Sequence, residues 1–163
     1  MNKAIKTINI VLTAVSWRIF VLSLIRLGIA WRSLPEPLGI HFAEDGEFDV
    51  FDSKSWAMYP YIVTLAALVF FEISALLSKK IKLGLNIAEE GDLRIRSALR
   101  LLLGSFKPGF SFFFAGVWAD FVIRQRPLNT AVPAAVMVIM FALFVIFVIA
   151  AIVIKIKNPR KEL

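Results

Sequence analysis

The last apolar segment of the chain, residues 131–154, contains 24 residues and no charged side chain. About 20 apolar residues suffice for a helix to cross the hydrocarbon core of a bilayer, so this segment alone predicts a membrane protein. Three further apolar segments precede it, at about residues 8–31, 57–77 and 108–123. Hydrophobic residues make up 59% of the chain. The sequence therefore predicts an all-α integral membrane protein, a single domain over residues 1–163 with four transmembrane helices and the lipid bilayer as its main partner.

The distribution of basic residues predicts how the four helices are oriented. Thirteen Lys and Arg residues lie at the two termini and in the loop 78–107, which the positive-inside rule assigns to the cytoplasm. The loop 32–56 contains six acidic residues against two basic ones, and it is assigned to the outer side. Arg124 and Arg126 in the second outer turn oppose this orientation but are outnumbered. We therefore expect both termini to be cytoplasmic.

The cytoplasmic loop is expected to contain an amphipathic helix. Its apolar residues fall at helical spacing, at Ile95, Ala98, Leu99, Leu102 and Leu103. Its basic side consists of Arg94, Arg96 and Arg100. Because Lys107-Pro108-Gly109 is typical of a helix break, we predict that this helix lies on the inner membrane surface, separate from the third span. The alternative is a third span that begins earlier, near Ala98, which would bury Lys107.

Four ionisable residues fall inside the predicted spans: Arg18, Arg26, Glu72 and Asp120. Charged groups at membrane depth are costly and are expected to face a partner or water. At 1.5 Å of rise per residue, the estimated depths match in two pairs, Arg26 with Asp120 and Arg18 with Glu72. We therefore predict that Arg26 pairs with Asp120 and that Arg18 pairs with Glu72 directly or through water. They either fix the registry of the helices or line a polar pathway or ligand pocket.

The acidic outer loop is predicted to fold into a small hairpin-like cap. Ile40 and Phe42 alternate around His41 as in a strand, and Asp45-Gly46 is a strong tight-turn signal. The candidate ligand-binding residues of this cap are His41, Glu44, Asp45, Glu47 and Asp49. His41 with neighbouring carboxylates could bind a divalent metal. Because the spacing fits no calcium loop, we favour a histidine that hydrogen-bonds within the cap, and no metal.

The same loop resembles a known family. Leu34, Pro35, His41, Gly46, Ser53, Lys54 and Pro60 match the pattern of the uncharacterised N-terminal domain of SdpI-type immunity proteins. The resemblance covers about residues 34–60, and this sequence departs from the pattern at Gly39, Ala43 and Glu44. Members of that family are bacterial membrane proteins, and SdpI itself protects its producer from a secreted killing peptide. The resemblance thus implies a multi-pass protein of the bacterial plasma membrane, with possible immunity to a membrane-active peptide.

Several classes of function are disfavoured. The chain has no cysteine and one histidine, which excludes disulfides, thiolate chemistry and multi-histidine metal or haem sites. No nucleophile–base arrangement or phosphate-binding glycine loop is present, so we expect neither an enzyme nor a cofactor. The net charge of +7 is attributed to topology and not to nucleic acid.

Three functions stay open. The first is a non-enzymatic, SdpI-like protein that recognises a peptide or a partner protein at its outer face, because the acidic loop would attract a cationic ligand. The second is an accessory subunit of a larger membrane complex. The third is a small ion-coupled transporter, which rests on the four intramembrane charges alone.

Overall fold

The computed structural model describes residues 3–78, 80, 87–126 and 131–159. Within these residues, four helical stretches are long and apolar enough to cross a membrane. They are Lys3–Ser33, Lys54–Leu77, Glu89–Arg124 and Ala131–Lys157. Each agrees in order with a segment expected from the sequence, and each is longer than that segment.

The helical stretches contain the following elements. Helix α1 is Lys3–Ala30 and is followed by a 3-10 turn, Trp31–Ser33. A second 3-10 turn, Lys54–Met58, leads into α2, Tyr59–Leu77. Helix α3, Glu89–Phe110, continues through a π-helical segment, Ser111–Trp118, into α4, Ala119–Arg124. Helix α5 is Ala131–Lys157.

The two ends of the helical bundle differ in composition. A two-stranded hairpin lies at one end, which we name the cap end. The other end, which we name the basic end, holds the first residues of α1 and the last residues of α2. It also holds the start of α3 and the end of α5, where the Ala88 backbone N–H donates to the Asn158 carbonyl at 3.1 Å.

The third helical stretch differs from the sequence-based prediction. It is continuous from Glu89 to Arg124 over 36 residues, so the expected break at residues 107–109 is absent. The predicted span 108–123 and the separate surface helix in the loop 78–107 are therefore one helix. At 1.5 Å per residue it is about 54 Å long, against a hydrocarbon core of about 30 Å. Its amphipathic first part must therefore extend beyond the apolar part at the basic end.

The helix continues through residues 107–109 for two physical reasons. Burying Lys107 is tolerated because its ammonium group has an ion-pair partner inside the bundle. Pro108 removes only one backbone donor, and membrane helices accommodate this by local adjustment of the hydrogen-bond ladder. The π-helical segment that begins three residues later is an adjustment of this kind.

Four of the basic residues that the sequence assigned to the cytoplasm lie outside the described residues: Lys79, Lys82, Arg160 and Lys161.

The cap end contains the main apolar core. Strands β1, Leu38–Phe42, and β2, Phe48–Asp52, form an antiparallel hairpin in the loop between α1 and α2. Its turn includes Gly46, whose φ of +84° is readily adopted by glycine. Buried apolar side chains from β1, the helices and the π-helical segment form one cluster, which includes Leu27, Leu38, Leu68 and Ala115. The hairpin is thus seated on the bundle and is not a free loop.

Helices α1 and α3 approach closely at the basic end. A Cβ atom built on Gly104 would collide with the side-chain oxygen of Asn9. Glycine at this position therefore leaves room for the Asn9 side chain between α1 and α3, as small residues commonly do in membrane helix pairs. Helix α5 packs mainly against α3 and has no fully buried residue.

Candidate functional site

The five candidate ligand-binding residues lie together on the hairpin. Glu44, Asp45 and Glu47 are exposed in its turn, and His41 and Asp49 are paired across the two strands. Asp45 accepts the Glu47 backbone N–H at 3.0 Å and so stabilises the turn. Within the described part of the chain, the Glu44 and Glu47 side chains make no hydrogen bond or ion pair, so their carboxylates face outward without a partner.

His41 acts within the hairpin. Its Nδ1 lies 2.6 Å from Asp49 Oδ1, and the two side chains are 64% and 44% exposed. A contact with this much exposure is screened by water, so it stabilises the hairpin little. Across residues 3–78, 80, 87–126 and 131–159, no group of three or more His, Cys, Asp or Glu residues could hold a metal ion.

The hairpin is fixed to the helical bundle by Gln125. The Gly39 backbone N–H donates to Gln125 Oε1 at 3.0 Å, and Gln125 Nε2 donates to the Gly39 carbonyl at 3.2 Å. Gln125 ends α4 with a φ of +49°, and its Nε2 also donates to the Val122 carbonyl at 2.9 Å. A Cβ atom at Gly39 would collide with the ring of Phe48. Glycine at this position therefore leaves room for the Phe48 ring against the backbone of β1.

Exposed apolar groups lie next to the acidic turn. Val50 and Phe51 on β2 are 45% and 54% exposed. The tilted rings of Trp56 and Tyr59 have centroids 5.2 Å apart, and the centroid of the Trp118 ring lies 6.1 Å from that of Tyr59. Trp and Tyr concentrate at membrane–water interfaces, so these rings fit the level of the lipid headgroups. The hairpin therefore presents free carboxylates and apolar side chains above that level.

One of the two ion pairs expected from helix depth is present. Arg26 on α1 forms an ion pair with Asp120 on α4. Arg124 also contacts Asp120, with Nε 3.0 Å from Oδ1. The sequence argument did not assign this second cation, although it lies four residues further along the same helix, a spacing that places the two on one face.

The second expected pair, Arg18 with Glu72, is absent. Glu72 Oε1 instead lies 2.6 Å from the Nζ atom of Lys107, which is 3% exposed in its side chain. Thr13 joins both groups: Lys107 donates to its Oγ1 at 2.9 Å, and the hydroxyl donates to Glu72 at 3.1 Å. This triad of Thr13, Glu72 and Lys107 links α1, α2 and α3, and Lys107 is its buried member.

The prediction of a direct Arg18–Glu72 pair was wrong because it used only the depth of each residue in the membrane. It did not consider the direction in which each side chain points around its helix. Ser16 is fully buried on the inner face of α1. Arg18 is two residues further along, which is about 200° around a helix of 3.6 residues per turn. Its side chain is accordingly exposed, and it makes no ion pair with any described residue.

A polar stripe along α1 is the site feature that the sequence argument missed. Its members recur at spacings of three, four or seven residues, which places them on one helix face: Lys6, Asn9, Thr13, Ser16, Ser23 and Arg26. Ser23 donates to the Ala115 carbonyl, and its hydroxyl lies 3.2 Å from that of Tyr61. The stripe faces α2, α3 and the π-helical segment, so polar groups line the inside of the bundle.

The fold defines the protein as a mostly helical chain with four helices able to cross a membrane, in keeping with a multi-pass membrane protein. Comparisons with protein-family models, with curated proteins and with solved structures found no match to this chain.

Proposed function

We propose that this chain is a non-enzymatic protein of the bacterial plasma membrane that recognises a cationic, amphipathic peptide at its outer face. Both termini are cytoplasmic in this proposal, and the cap end faces outward. Immunity to a membrane-active peptide is the biological role that the SdpI-like segment at residues 34–60 suggests.

The observation that carries the proposal is the composition of the hairpin surface. Glu44 and Glu47 present unpaired carboxylates, and Val50 and Phe51 lie exposed beside them. A cationic, amphipathic peptide is complementary to both features. Its basic side chains would contact the acidic turn, and its apolar side chains would contact β2. Because Gln125 holds the hairpin on the bundle, little ordering entropy is lost when a ligand binds.

Binding of a designed helical peptide of lysine and leucine tests the proposal. The protein in discs of zwitterionic lipid is compared with empty discs, so that direct peptide–lipid binding is subtracted. The double substitution Glu44→Gln, Glu47→Gln should weaken binding by about fivefold or more and flatten its salt dependence, since screening acts on exposed charges. Asp45 and Asp49 are left unchanged because they stabilise the hairpin.

A matched control removes the same charge at the other end of the molecule. Glu89 and Glu90 are exposed at the start of α3, and Glu89→Gln, Glu90→Gln should leave peptide binding at the parental level. Equal binding by the parent and both variants would mean that the acidic turn only keeps the outer surface soluble. The recognition role would then have to be abandoned.

A second candidate function, an accessory subunit of a larger complex, is favoured by helix α5. Its outer face is apolar and exposed along its whole length, for example at Met137, Phe141 and Ile149. A cavity of about 280 Å³ lies between this helix and the phenylalanines of α3 and the π-helical segment. Lipid or another transmembrane helix would cover such a surface equally well. Recovery of a stoichiometric membrane partner from mild detergent would favour this function over peptide recognition.

A further inference from the structure

Arg18 carries a charge on the outer surface of α1, near the middle of that helix. Its side chain is exposed and makes no hydrogen bond or ion pair within residues 3–78, 80, 87–126 and 131–159. About 20 Å of helix separates Arg18 from Lys3 and from Ala30, the two ends of α1. Long basic side chains reach the lipid headgroups from positions near helix ends, which Arg18 does not occupy. A guanidinium group at this depth therefore calls for a polar or acidic partner beside α1.

The surface around Arg18 is apolar and uncovered. The exposed residues on its face of α1 lie three, four, seven or eight positions away: Ile10, Ala14, Val21 and Ile25. Of these, Ile10 and Ala14 also line a groove of about 440 Å³ between α1, α2 and α3. The face that carries Arg18 is thus continuous with this groove.

Glu72 places a carboxylate in the same groove. Its side chain is 38% exposed, so the groove opens to the outside of the bundle at this point. Exposed apolar residues of α2 lie at helical spacing on either side of Glu72: Leu65, Val69 and Leu76. The groove thus presents one carboxylate within an apolar surface, which is the complement of the Arg18 face.

One oxygen of this carboxylate is available for a second cation. Thr13 and Lys107 both donate to Glu72 Oε1, and Oε2 accepts no hydrogen bond from any residue that the structure describes. An ionised carboxylate has about four acceptor sites on its two oxygens. Asp120 shows that a carboxylate of this chain holds two cations, because it contacts two arginines.

Arg18 and the Glu72 carboxylate lie at similar depths. Glu72 accepts the Thr13 hydroxyl, and Thr13 lies five residues before Arg18, about 7 Å along α1. Side chains of a helix tilt toward its first residue, which directs the Arg18 guanidinium toward the level of Thr13. The other two cations of the groove, Lys6 and Arg100, lie about 10 Å nearer the basic end, since each precedes a member of the triad by seven positions. Their repulsion is therefore weaker than the attraction of Glu72 at contact distance.

We propose that two copies of this chain associate through this surface, with Arg18 of each copy paired to Glu72 Oε2 of the other. A two-fold axis along the membrane normal keeps every residue at the same depth in both copies. Groups of opposite charge at one depth therefore meet across such an axis, and each pair occurs twice. The association removes both guanidinium groups from lipid, and it does not depend on peptide recognition.

Two arguments favour a second copy over other occupants of this surface. A lipid carries its phosphate at the membrane surface and offers only acyl chains at the depth of Arg18. A different membrane protein would have to bring its own carboxylate to this depth, whereas this chain already has Glu72 on the same outer surface. The surface is therefore complementary to itself.

Energy transfer between labelled copies in lipid vesicles tests this proposal. Each copy carries a single dye on Glu90→Cys, and the protein is diluted with phosphatidylcholine to obtain the dissociation constant of the dimer. The parent should dimerise. Arg18→Gln and Glu72→Gln each remove both pairs from a dimer and should weaken dimerisation about tenfold, given the usual strength of two polar contacts between membrane helices.

A mixture of the two variants separates pairing between copies from effects within one copy. A mixed dimer keeps one intact pair, between Arg18 of the Glu72→Gln copy and Glu72 of the Arg18→Gln copy. With the donor dye on one variant and the acceptor dye on the other, the mixture should dimerise only about threefold more weakly than the parent. Loss of a contact within one copy predicts no such recovery.

Arg32→Gln is the matched control, because it removes an exposed arginine just beyond α1 and should keep parental dimerisation. A parent that is monomeric at every dilution would show that lipid or another protein covers this surface, and would overturn the proposal. Parental dimerisation of Arg18→Gln would do so as well, even if Glu72→Gln fails to fold, because Arg18 is exposed and bonds no described residue of its own copy. No recovery in the mixture of folded variants, or an equal loss in the Arg32→Gln control, would also contradict it.

Discussion

At the scale of single residues, the ionisable groups inside the bundle differ in how they are accommodated. Asp120 contacts two arginines near the cap end, and all three side chains are partly exposed. Lys107 is almost completely buried and depends on Glu72 and Thr13. Removal of a partner should therefore cost far more in the triad than at Asp120.

The Glu72–Lys107 pair gives a stability prediction. Glu72→Leu leaves the Lys107 ammonium buried without a carboxylate and should lower the free energy of unfolding by about 3–5 kcal/mol. Lys107→Met should cost less, because the Glu72 side chain is 38% exposed and can reach water. The double variant should lie within about 1–2 kcal/mol of the parent, since replacing a buried pair by apolar groups is often nearly neutral.

Reversible unfolding of the detergent-solubilised protein in increasing dodecyl sulfate measures all three variants and the parent. The double-mutant cycle should give a large coupling energy between the two positions. Additive costs, with the double variant as unstable as the sum of the single ones, would show that the pair is not coupled.

At the scale of elements, the apolar segments and the turn signals were the sequence features that predicted the membrane helices and the hairpin. A long uncharged segment identifies a membrane helix from composition alone, and Asp45-Gly46 marks the hairpin because only a few residue pairs suit a tight turn. Helix depth predicted the Arg26–Asp120 contact. It failed for Arg18 because a depth argument ignores direction around the helix. The depth argument did not include Lys107, because a lysine followed by proline is typical of a helix end. Only the partners of Lys107 on two other helices make its burial possible.

The buried stripe of α3 and the π-helical segment was nevertheless visible in the sequence. Arg100, Gly104, Lys107, Ser111 and Ala115 follow one another at spacings of three or four residues, and this pattern runs through the expected break. The π-helical conformation of residues 111–118 could not be predicted, because its hydrogen-bond pattern has no composition signal in a phenylalanine-rich segment.

The attachment of the hairpin to α4 gives a prediction for one element. Gln125→Ala removes the two hydrogen bonds between the Gln125 side chain and the Gly39 backbone. The backbone amide of Gly39 should then exchange with solvent about 5- to 30-fold faster, as expected for the loss of about 1–2 kcal/mol of local stability. Amides in the middle of α2 should keep their parental exchange rates.

A control variant acts on the exposed side of the hairpin. His41→Ala removes a solvent-exposed pair and should change the exchange of Gly39 by less than Gln125→Ala does. If His41→Ala accelerates exchange as much as Gln125→Ala, the histidine and not the glutamine holds the hairpin in place.

At the scale of the whole molecule, the two ends have opposite chemistry. The cap end carries an acidic hairpin above a layer of aromatic rings, and the basic end carries basic side chains such as Lys155 and Lys157. The proposed function depends on this polarity, because a cationic peptide would approach the cap end from outside. The orientation of the chain in the membrane is therefore the claim on which the whole account rests.

Cysteine accessibility in intact cells tests the orientation most directly, because the chain contains no cysteine of its own. One variant carries Glu47→Cys in the hairpin turn, and the other carries Glu90→Cys at the start of α3. A membrane-impermeant thiol reagent should label the variant at position 47 in intact cells and the variant at position 90 only after the membrane is permeabilised. Labelling of position 90 in intact cells, with position 47 protected until permeabilisation, would show the reverse orientation and contradict the account.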